Sequence, residues 1–177
     1  NYLSIYAKSF NWAGFFLPKK TYQKCSVLYD FCRSLDDIAD EDQELDIKTK
    51  QFNEFKNKFS NKDTNDKIIS GMWQLIDNYK ISENIVYDLF DGIESDLKKE
   101  VIIKSKKELL IYSYRVAGTV GLMMAKILDV KKKNSLKAAI DLGIAMQLTN
   151  IARDVVEDSK KNRKYIDSNF ESIKNTL

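Results

Sequence analysis

A chain of 177 residues suits one domain and is long enough to bury a sizeable core. Its 29 basic and 26 acidic side chains leave a net charge of +3, too balanced for a nucleic-acid-binding surface, so no nucleic-acid partner is expected. Histidine is absent, which removes imidazole acid–base chemistry, histidine-dependent triads and histidine-ligated zinc.

One proline and six glycines leave room for long helices, and no alternating strand pattern competes, so the expected class is all-α. A short amphipathic stretch opens the chain, from Tyr2 to about Phe16. Pro18 then suits the first turn of a helix that runs to Asp40. Cys25, Leu28, Cys32, Leu35 and Ala39 recur along it at spacings of three and four, which is one apolar face. The two cysteines form neither a CxxC clip nor a redox pair and are read as buried free thiols in a reducing compartment. Phe52, Phe55 and Phe59 mark a modest helix inside the polar stretch 41–67, with a loop over 61–67. Helices follow at Ile68–Tyr79 and Ser82–Lys98, the second with Ile85, Leu89, Ile93 and Leu97 on one side.

Ser105 and Glu108 fit a capping box opening a helix that reaches Leu128. Gly118 and Gly121 inside it cost roughly 1 kcal/mol each. Close helix packing explains them, and so does a break that lets a ligand approach the backbone. The run Val116–Ala125 is the longest apolar one and is far shorter than the ~20 residues of a spanning helix. A last long helix is expected over about Ser135 to Asp158. Two basic runs, Lys131–Lys133 and 160–164, read as solvated surface or as phosphate- or membrane-facing patches.

Two acidic clusters carry the chemistry. Asp36 and Asp40 close the helix that follows Pro18, and Asp154 and Asp158 close the last one. In each pair the carboxylates stand one turn apart on one face, where like charges repel. A divalent cation relieves that repulsion, and magnesium takes hard oxygen ligands while sharing its shell with substrate phosphates. Two such pairs facing each other across a cavity would hold a diphosphate through bridging ions. The plainer reading is two acidic helix ends in water, and Asp42 and Asp46 show the same spacing in a polar segment. Gln147, Asn150, Asp154 and Asp158 make a polar stripe roughly 16 Å long, whose Gln and Asn would need partners if buried. Arg33, one turn before Asp36, either grips phosphate oxygens or pairs within its own helix, and Tyr29 lies one turn before it. Tyr112, Ala117 and Val120 give a phenol and small apolar groups to one wall, suited to a greasy substrate or a carbocation, or to plain core packing.

Four blocks in order resemble the squalene/phytoene synthase family: Lys8–Phe10; Leu28–Arg33 with Asp36–Asp40; Tyr112–Gly121; and Leu142–Asp154. The resemblance is closest to its bacterial phytoene-forming members. It implies a single all-α isoprenoid-synthase-type bundle around a central cavity over residues 1–177, incomplete at its C-terminus. Members commonly extend about a hundred residues further, and have a proline near the position held here by Ile166. By resemblance, Asp36, Asp40, Asp154 and Asp158, with Asn150, hold magnesium or manganese through the substrate diphosphate. Ser9, Phe10, Tyr29, Arg33, Gln147 and Arg153 contact substrate or its surroundings, Tyr112 lies near the reacting carbons, and Ala117, Val120 and Gly121 line a prenyl channel.

The activity implied is head-to-head condensation of two geranylgeranyl diphosphates to phytoene through a cyclopropylcarbinyl diphosphate. That reaction needs no NADPH, and no Gly-rich dinucleotide loop is present. A sister enzyme making squalene or dehydrosqualene from farnesyl diphosphate would carry the same aspartates. A non-catalytic helical assembly factor of the same fold and a plain bundle with accidental acidic ends are the readings from other classes. A prenyl diphosphate is the expected partner, and peripheral contact with the inner face of the cell membrane is expected of a cytoplasmic enzyme with greasy substrate and product. The oligomeric state is left open.

Overall fold

A computed structural model of the chain describes residues 17–166, so the expected N-terminal stretch, Ser9 and Phe10 lie outside the described residues. Among the described residues seven α-helices form one bundle: α1 (Lys19–Asp40), α2 (Leu45–Ser60), α3 (Lys67–Tyr79), α4 (Glu83–Asp96), α5 (Lys106–Ser113), α6 (Thr119–Ile127) and α7 (Lys133–Lys160). Pro18 caps α1, its carbonyl accepting from Tyr22 N at 3.0 Å. Asp66 caps α3 through Ile68 N and Ile69 N, and Ser105 caps α5 through Glu108 N, the latter as the capping-box pattern indicates.

The apolar face of α1 forms the middle of the core: Leu28, Phe31 and Leu35 are fully buried. Around Phe31 gather Phe55, Phe59 and Phe90, with ring centroids 5.5–6.0 Å away. Trp73 stacks on Phe59 and donates its indole N–H to the Phe59 carbonyl at 2.9 Å. The two cysteines are free, Cys25 buried and Cys32 half-buried against this core.

Two features depart from the sequence reading. The helix expected from Ser105 to Leu128 is divided by one π-helical turn, Tyr114–Gly118, in which Thr119 N bonds back to Tyr114 O. That wider turn changes the angular register between Tyr112 and the glycines. A parallel two-residue ladder also forms, β1 (Val101–Ile102) on β2 (Arg163–Lys164), where no strand is signalled.

The glycine question resolves in favour of packing. A Cβ on Gly143 would lie 2.9 Å from Ala117 C and 3.1 Å from Gly118 Cα; one on Gly121 would lie 3.1 Å from Ala139 C. Backbone meets backbone there, so α7 lies directly against the π turn and α6, which fixes where its acidic end projects. Beyond that contact α7 carries exposed apolar groups, among them Leu142 and Val156.

Candidate functional site

The C-terminal ends of α1 and α7 converge. Asp36, Ala39 and Asp40 from α1 and Gln147, Asn150, Arg153, Asp154 and Asp158 from α7 line one cavity of about 250 Å³. Ile93 and Asp96 of α4, Tyr112, Val116, Ile151, Arg163 and Tyr165 complete its wall. Both aspartate ladders therefore face the same space. Both also sit near the negative ends of their helix dipoles, where added carboxylates are unfavourable and cations are welcome.

The protein's own cations answer part of that charge. Arg163 donates to Asp40 Oδ1 at 2.8 Å and to the Ala39 carbonyl at 3.1 Å, and Lys161 stands 3.7 Å from Asp40. Arg153 grips its neighbour Asp154 through two 2.6 Å hydrogen bonds. That grip holds the Asp154 carboxyl below the usual carboxylate range. Asp36 has the Arg33 guanidinium one turn back along α1, whose charge works to lower its carboxyl but does not prevail. Crowding by protein atoms, and then the Asp40 charge, push its carboxyl up to about 7, although water still reaches it through the open cavity. Asp158 is likewise raised, chiefly by burial, with Asp154 and Asp40 adding to it.

Behind the carboxylates lies a small second core of Val101, Ile103, Tyr112, Ile151 and Tyr165. The rings of Tyr112 and Tyr165 stack at 4.8 Å, and both hydroxyls donate to Asp96, at 2.8 and 2.7 Å. Burial raises the Asp96 carboxyl against the lowering effect of these hydrogen bonds, and both phenols are also raised, mainly by burial. Val101 N and Ile103 N bond to the carbonyls of Asn162 and Lys164, each at 3.0 Å, which ties Arg163 and Tyr165 into the wall.

Among the described residues, no three acidic or cysteine side chains converge closely enough to hold an ion by themselves. The donors present are paired hard oxygens on two helices. That set suits an ion that takes one or two carboxylates and draws its remaining ligands from water and phosphate.

The profile of the squalene/phytoene synthase family matches residues 3–168. The chain belongs to this family. It is 29% identical to the 15-cis-phytoene synthase of Pantoea ananas over 95% of its own length, and 32% identical to the 4,4'-diapophytoene synthase of Staphylococcus haemolyticus over 90%. It spans 58% of the length of each of these relatives. Phytoene synthase 1 of Solanum lycopersicum is 31% identical over 91% of this chain and 41% of the relative. Among solved structures, a dehydrosqualene synthase in complex with ligand superposes with a TM-score of 0.74 at 31% identity, covering 99% of this chain and 62% of that one. The all-α synthase fold expected from the sequence is thus the fold of this family member.

Within the family bundle, the residues singled out from the sequence divide into two groups. Asp36, Asp40, Tyr112, Gln147, Asn150, Arg153, Asp154 and Asp158 come together in the cavity. Tyr29, Arg33, Ala117, Val120 and Gly121 do not line it. Arg33 makes the intrahelical pair, with Asp37 at 2.8 Å. Gly121 and the Ala117 carbonyl are taken up by contact with α7, and Val120 packs against the main core. The polar stripe on α7 is more open than expected, with Asn150 exposed and Gln147 half-buried. Sequence reading missed Asp96, Arg163 and Tyr165. Asp96 follows Leu89 and Ile93 on the inward side of α4, an offset that would have flagged a buried carboxylate. Arg163 was hidden in a basic run read as solvated surface or as a phosphate- or membrane-facing patch, and Tyr165 directly follows that run.

Proposed function

We propose that the protein is a transferase that joins two prenyl diphosphates head to head, converting two geranylgeranyl diphosphates to phytoene in carotenoid biosynthesis. The observation that supports this most strongly is the convergence of two aspartate ladders, from separate helices, on one cavity. In this reading Asp36 and Asp40 on one side, and Asp154 and Asp158 with Asn150 on the other, hold magnesium or manganese together with the substrate diphosphate. The bound metal supplies Lewis-acid stabilisation of the departing pyrophosphate. Arg163 and Arg153, now engaged by Asp40 and Asp154, are the cations within reach of phosphate oxygens once those carboxylates turn to other partners. Gln147 donates to the same oxygens.

Departure of the first pyrophosphate leaves an allylic cation. The double bond of the second prenyl chain attacks it, and proton loss closes the cyclopropane ring of a cyclopropylcarbinyl diphosphate. Loss of the second pyrophosphate, rearrangement and a further proton loss give phytoene, with no external reductant. Tyr112, held by Asp96 and stacked on Tyr165, offers an aromatic face to the developing cation. Ile93, Val116 and Ile151 give the inner wall an apolar lining that favours a prenyl chain over the water that would quench the cation.

A second reading is supported by the diapophytoene synthase relative and the dehydrosqualene synthase structure, as similar in identity as the phytoene synthases: condensation of two farnesyl diphosphates. The deciding experiment incubates the full-length protein with magnesium and either geranylgeranyl or farnesyl diphosphate and identifies the hydrocarbon. A C40 product supports the first reading and a C30 product the second. Asp36→Ala and Asp154→Ala, checked for retained helicity, should each abolish turnover and magnesium-dependent pyrophosphate binding; full retention in both rejects the metal–diphosphate assignment.

A further inference from the structure

Among the described residues lining the acidic cavity, Asp96 is the one carboxylate that the metal–diphosphate chemistry leaves unused. It ends α4 and bridges two rings remote in sequence. Its Oδ2 accepts from the Tyr112 hydroxyl at 2.8 Å, 16 positions away, and its Oδ1 from the Tyr165 hydroxyl at 2.7 Å, 69 positions away. The two hydroxyls stand 3.1 Å apart, and both phenols are buried. Packing alone does not ask for this trio. A leucine at 96 with phenylalanines at 112 and 165 would fill similar space without the cost of enclosing a carboxylate, and such exchanges are often neutral or stabilising. What the carboxylate adds is direction. Each oxygen takes one hydroxyl, so both ring axes are fixed relative to each other and to the end of α4. The rings then stack with centroids 4.8 Å apart and planes 23° from parallel, which covers one face of Tyr112 and leaves the other. Tyr112 is also the penultimate residue of α5, and the π turn that follows winds more widely. The direction of its ring is therefore set from outside its own helix.

We propose that Asp96 is a positioning residue: it holds the free face of Tyr112 against the cationic carbons of the prenyl chain and so decides whether that cation ends in hydrocarbon or is captured by water. The inference rests on the head-to-head condensation proposed above. A ring attracts a cation that lies over its face, within about 6 Å of the centroid, whereas its edge carries the opposite partial charge. A phenol released from Asp96 can pivot and present that edge. The cation then survives longer beside an open cavity, and water adds to it. A carbon–oxygen bond forms, a proton leaves to solvent, and a prenyl alcohol is released in place of hydrocarbon, with no oxidant or reductant consumed. Asp96 acts only through Tyr112 and exchanges no proton in this scheme.

The test uses the full-length protein with magnesium and the prenyl diphosphate it converts, and measures kcat, KM and the ratio of prenyl alcohol to hydrocarbon among the products. That ratio does not depend on how much of the enzyme is folded. Asp96→Ala should lower kcat roughly 10- to 30-fold with KM within about three-fold of the parent, and raise the ratio about ten-fold. Asp96→Asn, whose amide oxygen accepts from one hydroxyl while its N–H donates to the other, should bring both back to within about three-fold of the parent. Tyr112→Phe keeps the ring and cuts the bond to Asp96. It should match Asp96→Ala, and combining the two should raise the ratio no further; this variant decides the matter if Asp96→Ala does not fold. Asp66→Ala, which destabilises at the distant α3 cap, should keep the parent ratio. The proposal is overturned if Asp96→Ala or Tyr112→Phe keeps the parent ratio, if Asp96→Asn is as impaired as Asp96→Ala, or if Asp66→Ala shifts the ratio as much. Those results, with a parent that makes hydrocarbon, remove this inference alone. A parent that makes no hydrocarbon from either diphosphate removes the head-to-head reading and this inference with it.

Discussion

Replacing Gly143 by alanine tests whether close approach of α7 to the π turn sets the site. Without rearrangement the new Cβ would sit 2.9 Å from Ala117 C and 3.1 Å from Gly118 Cα, and closer still to the Ala117 carbonyl oxygen. Carbon atoms rest at about 3.5–4.0 Å, so the two backbones must part by up to about 1 Å. No rotamer change can relieve the clash, because every atom named is main chain. Overpacking of this kind costs about 1–3 kcal/mol, against which alanine returns up to about 1 kcal/mol of helix propensity. The net loss expected is about 1–2 kcal/mol, a fall in Tm of about 2–8 °C for a domain of this size. Gly71→Ala is the matched control: its Cβ would meet only the Val27 Cγ1 methyl within 3 Å, a side chain able to shift, and the propensity gain should leave stability near that of the parent. Thermal and urea unfolding followed by circular dichroism give both values. A Gly143→Ala protein as stable as the parent, or less affected than Gly71→Ala, refutes the packing argument.

Asp36→Asn should stabilise the metal-free protein above neutral pH. The folded-state carboxyl titrates near 7 and the unfolded one near the ordinary aspartate value, so the parent loses stability as pH rises between the two, and the variant does not. Water in the open cavity screens the effect to at most about 2 kcal/mol, read as a difference between urea midpoints at pH 8 that vanishes below pH 4. Asp66→Ala should cost about 1 kcal/mol at neutral pH through loss of the α3 cap. Burial raises the Asp66 carboxyl, but hydrogen bonds from Ile69 N, Lys58 and Ile68 N together lower it, so this cost is present above the ordinary aspartate range and disappears as acid protonates the parent. Asp96→Ala leaves the buried Tyr112 and Tyr165 hydroxyls, 3.1 Å apart, with only each other as partners and should destabilise by about 1–3 kcal/mol. Tyr165→Phe, which removes one hydroxyl without stranding Tyr112, should cost about 1 kcal/mol in the same urea series.

The helices were legible because local spacing encodes them. The repeat of Cys25, Leu28, Leu35 and Ala39 is the buried face of α1, and the Phe52–Phe55–Phe59 pattern is the side of α2 that meets Phe31 and Phe90. The aspartate ladders were legible for the same reason, each being a one-turn repeat within a single helix. What spacing could not supply was how two helix ends face each other, and the resemblance to a family filled that gap. The Arg163–Tyr165 wall lay out of reach because a two-residue ladder has no period to detect and its partner, Val101–Ile102, is remote in sequence. The π turn was equally silent: its residues carry an ordinary helical pattern, and only the Thr119 N–H bonding back to the Tyr114 carbonyl reveals the wider winding. Arg33 shows the limit from the other side, since spacing allowed both a phosphate contact and the intrahelical pair.

The β1–β2 ladder also orders events in time. Asp40 and Arg163, which it brings together, are separated by 123 positions. During synthesis the aromatic core built by α1 to α4 can collapse as soon as those helices emerge, since its contacts are comparatively local. The acidic hollow cannot close until residue 163 has left the ribosome and met Val101, a late and non-local step. Until that encounter, four crowded carboxylates stand in water without Arg163, and the nascent bundle is a core without a working end.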